Sequence, residues 1–320
     1  MLLISKIYAA AQKVPEDFGF RHIKLKYLDD PVDVIVISKI GEERIAKPLF
    51  LYCQDSLPKP VIKYSEKGLY DILPFDEQLF LSDFHIAIVG KPFIPVISNV
   101  DKLSTDFLFL KDFENRIPPR GYSDRNYLDY YVFRNNSILK QLFKYRWAKT
   151  SKLLVVGEGE GSSIAVKMAT LNKKITHLIY SRGNPYGNFA NQLQENKLNQ
   201  NSYQTSKEIL LDYSGVVSKS TEIQYNQLET SKAIFSFSLP QRDNLLSLKI
   251  PILVYYKTAD SNRVFNDFFQ IEVIRERKLS IEFDCDLDSR PDFLSENEKN
   301  NSDRISRKWQ KWWERCINLK

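Results

Sequence analysis

One stretch near the middle of the chain limits its possible folds more than any other: Leu153-Leu154-Val155-Val156-Gly157-Glu158-Gly159-Glu160-Gly161-Ser162-Ser163-Ile164-Ala165. A run of branched apolar residues reads as a strand buried on both faces, and the stretch from Ser162 to Leu171 reads as a helix. Between them, glycines at alternate positions allow strand and helix to pack closely around a tight turn. This is the context of the G-x-S-x-G nucleophile elbow, in which a serine hydroxyl is presented on a strained turn. Here the centre is Gly159, which has no hydroxyl and so cannot form an acyl-enzyme.

A dinucleotide-binding G-x-G-x-x-G loop competes for the same residues, since Gly157 and Gly159 match its first two glycines. The third position is Ser162, and Glu158 and Glu160 bring negative charge to where a pyrophosphate must sit. No acidic residue follows the next strand, which ends Tyr180-Ser181-Arg182. The elbow is the better reading, and no cofactor is expected.

The flanking sequence extends this unit into an α/β domain. Strands are predicted at His22–Leu28, Val32–Ser38, Pro48–Gln54 and Phe84–Gly90, and a helix within Asn126–Trp147 from the spacing of Tyr127, Tyr130, Tyr131, Ile138, Leu142 and Tyr145. After the elbow come a strand at His177–Ser181, another at Pro251–Tyr255, a helix from Asn266 to about Lys278 and a strand at Leu279–Phe283, with an amphipathic helix from Asp303 onward. Such alternation implies a parallel sheet covered on both faces. The stretch from Asn188 to Lys207, rich in Asn, Gln and Ser, reads as a solvated insertion, and the helical residues after it, to Leu248, as the rest of a cap.

Forty-six Lys and Arg against 40 Asp and Glu leave a net charge of +6 with no basic block, so nucleic acid is not an expected partner. Cys53, Cys285 and Cys316 are far apart and form no C-x-x-C, so neither a disulfide framework nor a metal centre is implied. No apolar run reaches the roughly 18 residues of a membrane span. Residues 1–12 carry a short apolar stretch broken by Lys6 and an Ala9-Ala10-Ala11 tract; a cytoplasmic start is favoured over a residual export signal.

Several separate motifs resemble a family of bacterial α/β-hydrolases whose elbow reads G-H-S-E-G-S. They are Cys53-Gln54-Asp55-Ser56-Leu57-Pro58 against C-Q-G-S-L-P, Tyr127-Leu128-Asp129-Tyr130-Tyr131, Gly183-Asn184-Pro185-Tyr186-Gly187, Thr258-Ala259-Asp260 against T-K-D, Phe265-Asn266-Asp267 against F-N-D, and the Trp-rich C-terminal helix. The resemblance runs from about residue 17 to 316 and implies a single α/β-hydrolase domain, with a mainly parallel sheet of about eight strands and a cap insertion over 188–248. It places the triad acid at Asp260, puts Pro291 where the family has histidine, and Gly159 where it has serine. The oxyanion turn it implies comprises Gln54, Asp55 and Glu160, with Asp55 replacing a glycine and opposing a developing oxyanion. A non-catalytic pseudo-hydrolase that binds a ligand or partner is therefore expected. The alternatives are an esterase or peptidase with a relocated nucleophile, Ser162 or Ser163, and a laboratory Ser-to-Gly variant. If Asp260 lacks its histidine, backbone donors, water or an arginine is expected to hold it instead, with Arg182 and Arg290 as the candidate arginines.

Other signals have ordinary readings. His22, His85 and His177 fall in predicted strands and read as hydrogen-bonded core or surface residues. Ser162 and Ser163 read as helix caps. Asp284-Cys285-Asp286-Leu287-Asp288 resembles the start of a calcium loop, but Ser289 and Ser295 stand where glycine and glutamate are required, so a strand end with acidic surface residues is expected. Trp309, Trp312 and Trp313 share a helical face suited to closing a core.

Overall fold

Continuous β-branched runs such as Val34–Ile37 and Leu153–Val156 have apolar side chains on both sides of the strand, so they are stable only in the middle of a covered sheet. A computed structural model, describing residues 13–198, 205–286 and 297–318, places them there. Its strands are β1 (Arg21–Tyr27), β2 (Asp30–Ile37), β3 (Lys47–Cys53), β4 (Ile62–Ser65), β5 (Gly68–Leu69), β6 (His85–Val89), β7 (Ile97–Asn99), β8 (Ala148–Glu158), β9 (His177–Ser181), β10 (Ile252–Lys257) and β11 (Ile281–Asp286). Eight of them form one sheet in the order β1-β2-β6-β3-β8-β9-β10-β11. Strands β1 and β2 form an antiparallel hairpin and β2 meets β6 antiparallel, whereas the steps from β6 to β11 are parallel. The predicted mainly parallel sheet of about eight strands is what the chain forms.

Alternation along each strand divides the core into two layers. From β3, Leu49, Leu51 and Cys53 enter one layer while Phe50 and Tyr52 enter the other. The first layer is covered by α2 (Leu128–Leu142), which follows the short α1 (Arg120–Ser123), and by α3 (Glu160–Leu171). Next in the chain come α4 (Phe189–Leu198), α5 (Ser206–Ser218), α6 (Ser231–Ser238), α7 (Arg242–Ser247), α8 (Arg263–Arg275) and α9 (Asn297–Asn318). The second layer is closed by α9, whose Trp309, Trp312 and Trp313 are 1%, 1% and 3% exposed. Trp309 packs on Phe75 and Trp313 on Phe84, and the Trp313 indole donates to the Asp83 carboxylate at 3.0 Å. The tryptophan face therefore completes the core. Among the described residues no helix is long and apolar enough to cross a membrane.

Some expectations need correction. A small second sheet, β5-β4-β7, follows the Leu57–Pro60 tract and was not predicted, because strands of two to four residues carry too little alternation to read. Residues 189–198, read as part of a solvated insertion, are helical, and Phe189 anchors α4 by stacking on Tyr213 of α5 at 4.0 Å. Asp286 is not a surface acid: it is 3% exposed, accepts from the Tyr255 hydroxyl at 2.9 Å and pairs with Arg304 at 2.8 Å and Lys308 at 3.1 Å. The remainder of that acidic motif, from Leu287, and the segment 1–12 lie outside the described residues.

Candidate active site

Because β3, β6, β8, β9 and β10 run parallel, the residues that follow them gather on one edge of the sheet, where open α/β folds place their sites. That edge presents Gln54 and Asp55 after β3, Lys91 after β6, Gly159 after β8, Arg182 after β9 and Asp260 after β10. With the exception of Glu160, the described residues expected at the site all line one cavity of about 1140 Å³, into which Lys91, Glu158 and Arg182 also face.

The turn between β8 and α3 is built on close backbone approach. A Cβ built at Gly157 would lie 2.2 Å from the Gly161 carbonyl oxygen, and one at Gly161 would lie 2.0 Å from that of Cys53. The outer glycines are thus required by close packing of strand against helix. Gly159 is glycine-like for a different reason, its φ of 57° and ψ of −123°. Its missing Cβ would meet nothing closer than the Asp55 carboxyl carbon at 3.7 Å. Position 159 is therefore strained but open, and any side chain there would face a carboxylate.

Ser162 does not cap α3 as expected. Its buried Oγ lies 2.8 Å from the Gly157 carbonyl and 2.7 Å from the Ser181 carbonyl, tying the turn to the neighbouring strand. The helix N-cap is Gly159, without a side-chain bond, and Ser163 is fully buried with its hydroxyl unpartnered among the described residues. Neither serine lines the cavity.

Asp260, its side chain 8% exposed, accepts from Arg182 Nη2 at 2.8 Å and Nε at 3.1 Å, and from the Lys257 backbone N–H at 2.9 Å. Arg182 is thus the expected partner. It also reaches Glu158 at 3.5 Å, and its φ of 52° is held by Asn262, whose amide donates to the Arg182 and Gly183 carbonyls at 2.6 and 3.1 Å. Pro291 and Arg290 lie outside the described residues. The histidines are elsewhere. His85 and His177 open β6 and β9 at the opposite edge, and His177 pairs in register with Leu154, five residues before Gly159, or about 16 Å along the strand. His22 bonds to Asp33 at 2.7 Å, His85 to Ser38 at 2.8 Å and to the Ile45 carbonyl at 2.8 Å, and His177 to Thr176 at 2.9 Å.

Acids dominate the electrostatics. Asp55 accepts from the Ser56 N–H at 2.6 Å, the Ser56 hydroxyl donates to the Glu160 carboxylate, and the Tyr122 hydroxyl donates to the Ser56 carbonyl, so the turn after β3 is pinned to α3 and α1. Burial first, then repulsion from Glu229 and Asp55, pushes the Glu160 carboxyl well above the usual range. Burial and Asp55 raise Glu229 as well, and burial raises Glu158. Lys91 and Glu229 were missed at the sequence level. Lys91 was legible in principle as the residue after the predicted strand Phe84–Gly90; Glu229 precedes α6 and carries no local signal. Among the described residues, no group of three or more His, Cys, Asp and Glu side chains is arranged to hold a metal ion.

No model of a known protein family matches this sequence, and no curated protein matches it. Solved structures match its fold. The chain is similar to Pyrococcus horikoshii acylaminoacyl peptidase, with a TM-score of 0.56 at 13% identity over 93% of this chain and 41% of that one. It is similar to an esterase of Rhizomucor miehei at a TM-score of 0.53 and 13% identity, covering 94% and 84% of the two chains. The 2,6-dihydroxy-pseudo-oxynicotine hydrolase aligns at a TM-score of 0.52 and 14% identity over 92% and 66%. The chain spans about two fifths of the length of the peptidases it matches (41%). It has the α/β-hydrolase fold.

Proposed function

We propose that this protein is a pseudo-hydrolase of bacterial type: the fold is kept, the nucleophile and base positions are degenerate at Gly159 and Pro291, and the cavity serves a binding role. In this reading residues 188–248 form a cap on a single hydrolase domain, and the turn around Gln54, Asp55 and Glu160 is what remains of an oxyanion hole. The observation that carries it is the state of the acid position. Asp260 uses its oxygens on Arg182 and the Lys257 N–H, while the three histidines of the chain stand at other places with other partners. Two further features support it. Asp55 sets negative charge beside the position where an oxyanion would develop, and the hydroxyls of Ser162 and Ser163 are buried away from the cavity. Asp55 and Pro291 together favour natural decay of the site over a single laboratory substitution.

The test is a fluorophosphonate probe and p-nitrophenyl esters applied to the purified chain. Labelling and turnover no greater than those of a matched non-enzymatic protein are expected, because only an activated hydroxyl reacts. Robust hydrolysis abolished by Ser162→Ala or Ser163→Ala would overturn the reading in favour of a relocated nucleophile.

A further inference from the structure

The cavity contains a group that a binding role does not require. Lys91 follows β6 at the carboxyl edge, lines the cavity and is only 7% exposed. Among the described residues no carboxylate oxygen lies within 4.0 Å of its Nζ; its polar contact is the Gln54 carbonyl at 3.4 Å, and the Tyr131 ring lies 4.9 Å away. A buried ammonium without a counter-charge is costly, so a cavity of this kind is expected either to supply an anion or to keep the amine neutral. An anion is disfavoured by the acids around it, Asp55 and Glu160, with Glu229 beyond them. The other titratable groups facing Lys91 are Arg134, a second buried cation, and Cys53, which burial keeps as a neutral thiol.

We infer that Lys91 is a nucleophilic amine that captures a small neutral aldehyde or ketone in the cavity as a Schiff base. Its lone pair forms the C–N bond to the carbonyl carbon, giving a carbinolamine. Water then leaves, made from the carbonyl oxygen and the two amine hydrogens, and the C=N bond replaces the C=O bond; a nearby carboxylic acid protonates the departing hydroxyl. No oxidant or reductant is consumed. Burial, reinforced by Arg134 and opposed by Asp55 and Glu160, brings the Lys91 amine down to about 8. At pH 7 roughly a tenth of it is then neutral, against about one in 2,500 for an ordinary lysine. Lysines desolvated beside another cation are activated in this way.

The test uses the full chain with butanal and sodium cyanoborohydride, which reduces the iminium to a stable butyl amine, followed by digestion and mass spectrometry. Lys91 is expected to be modified at least about tenfold faster at pH 7 than exposed Lys149, with Lys91→Arg removing that adduct alone. The pH profile of the unmodified chain is the second measurement and needs no variant. Its midpoint for Lys91 should lie near 8, moving lower in Asp55→Asn, since that carboxylate favours the ammonium. Modification no faster than at Lys149, or a midpoint near 10, overturns the inference. The pseudo-hydrolase reading would survive that result, since it concerns fluorophosphonate and ester reactivity.

Discussion

Gly159→Ser adds a hydroxyl at the turn after β8 and changes nothing else, so it separates the architecture of the turn from the chemistry proposed for it. The backbone there sits at φ 57° and ψ −123°, a region strained for any residue with a Cβ. The added Cβ meets nothing closer than 3.7 Å, so no clash adds to the backbone cost. That cost is about 1–3 kcal/mol, and at roughly 2 °C per kcal/mol for a domain of this size it lowers Tm by about 2–6 °C. Chemistry should not follow. The new hydroxyl has no imidazole to take its proton, the nearest strand histidine by register lies about 16 Å along β8, and Asp260 is held by Arg182. In serine hydrolases, removing the nucleophile or base alone costs about a million-fold in kcat, so restoring one member without the other recovers almost nothing. The Asp55 carboxylate opposes what remains. The assay is p-nitrophenyl acetate in stopped flow, with thermal unfolding measured in parallel. No burst and a rate indistinguishable from the unmodified chain are expected. A burst of nitrophenol stoichiometric with protein would refute the argument about the missing base, and an unchanged or higher Tm would refute the argument about strain.

Arg182→Met leaves the buried Asp260 carboxylate with one backbone donor; because Arg182 itself is 44% exposed in its side chain, a loss of about 1–3 kcal/mol is expected by urea unfolding at pH 7. Trp312→Ala, at a residue 1% exposed, should cost about 3–5 kcal/mol in the same assay, against little for Lys149→Ala on the surface. Glu160→Gln tests the acid cluster. Since the folded-state pKa of Glu160 is raised above its ordinary 4.5, the stability associated with its protonated form is fully present below that value and is lost as pH rises through the folded pKa. The variant should therefore be more stable than the parent at pH 8 and little changed at pH 4, and equal differences at both values would show that Glu160 is not perturbed.

What the sequence determined by itself concerns short-range requirements. Glycines at 157, 159 and 161 announce a turn in which backbone approaches backbone, and the positions a Cβ would occupy at Gly157 and Gly161 bear this out. The branched runs fixed on the sheet interior, and the 309, 312, 313 spacing of tryptophan, were legible because they follow strand and helix periods within one segment. Tertiary structure alone decided the rest. Asp286 looked like a surface acid until α9 crossed β11 and brought Arg304 and Lys308 to it. The strands of the second sheet are too short to declare themselves and exist because β4 finds β7 from a distant part of the chain. The electrostatics around Gly159 arise from groups at 55, 91, 160, 182 and 229, which no local pattern connects. They meet because parallel pairing carries successive strand ends to one edge, and burial at that edge, which depends on what packs over it, sets which of them keep their charge.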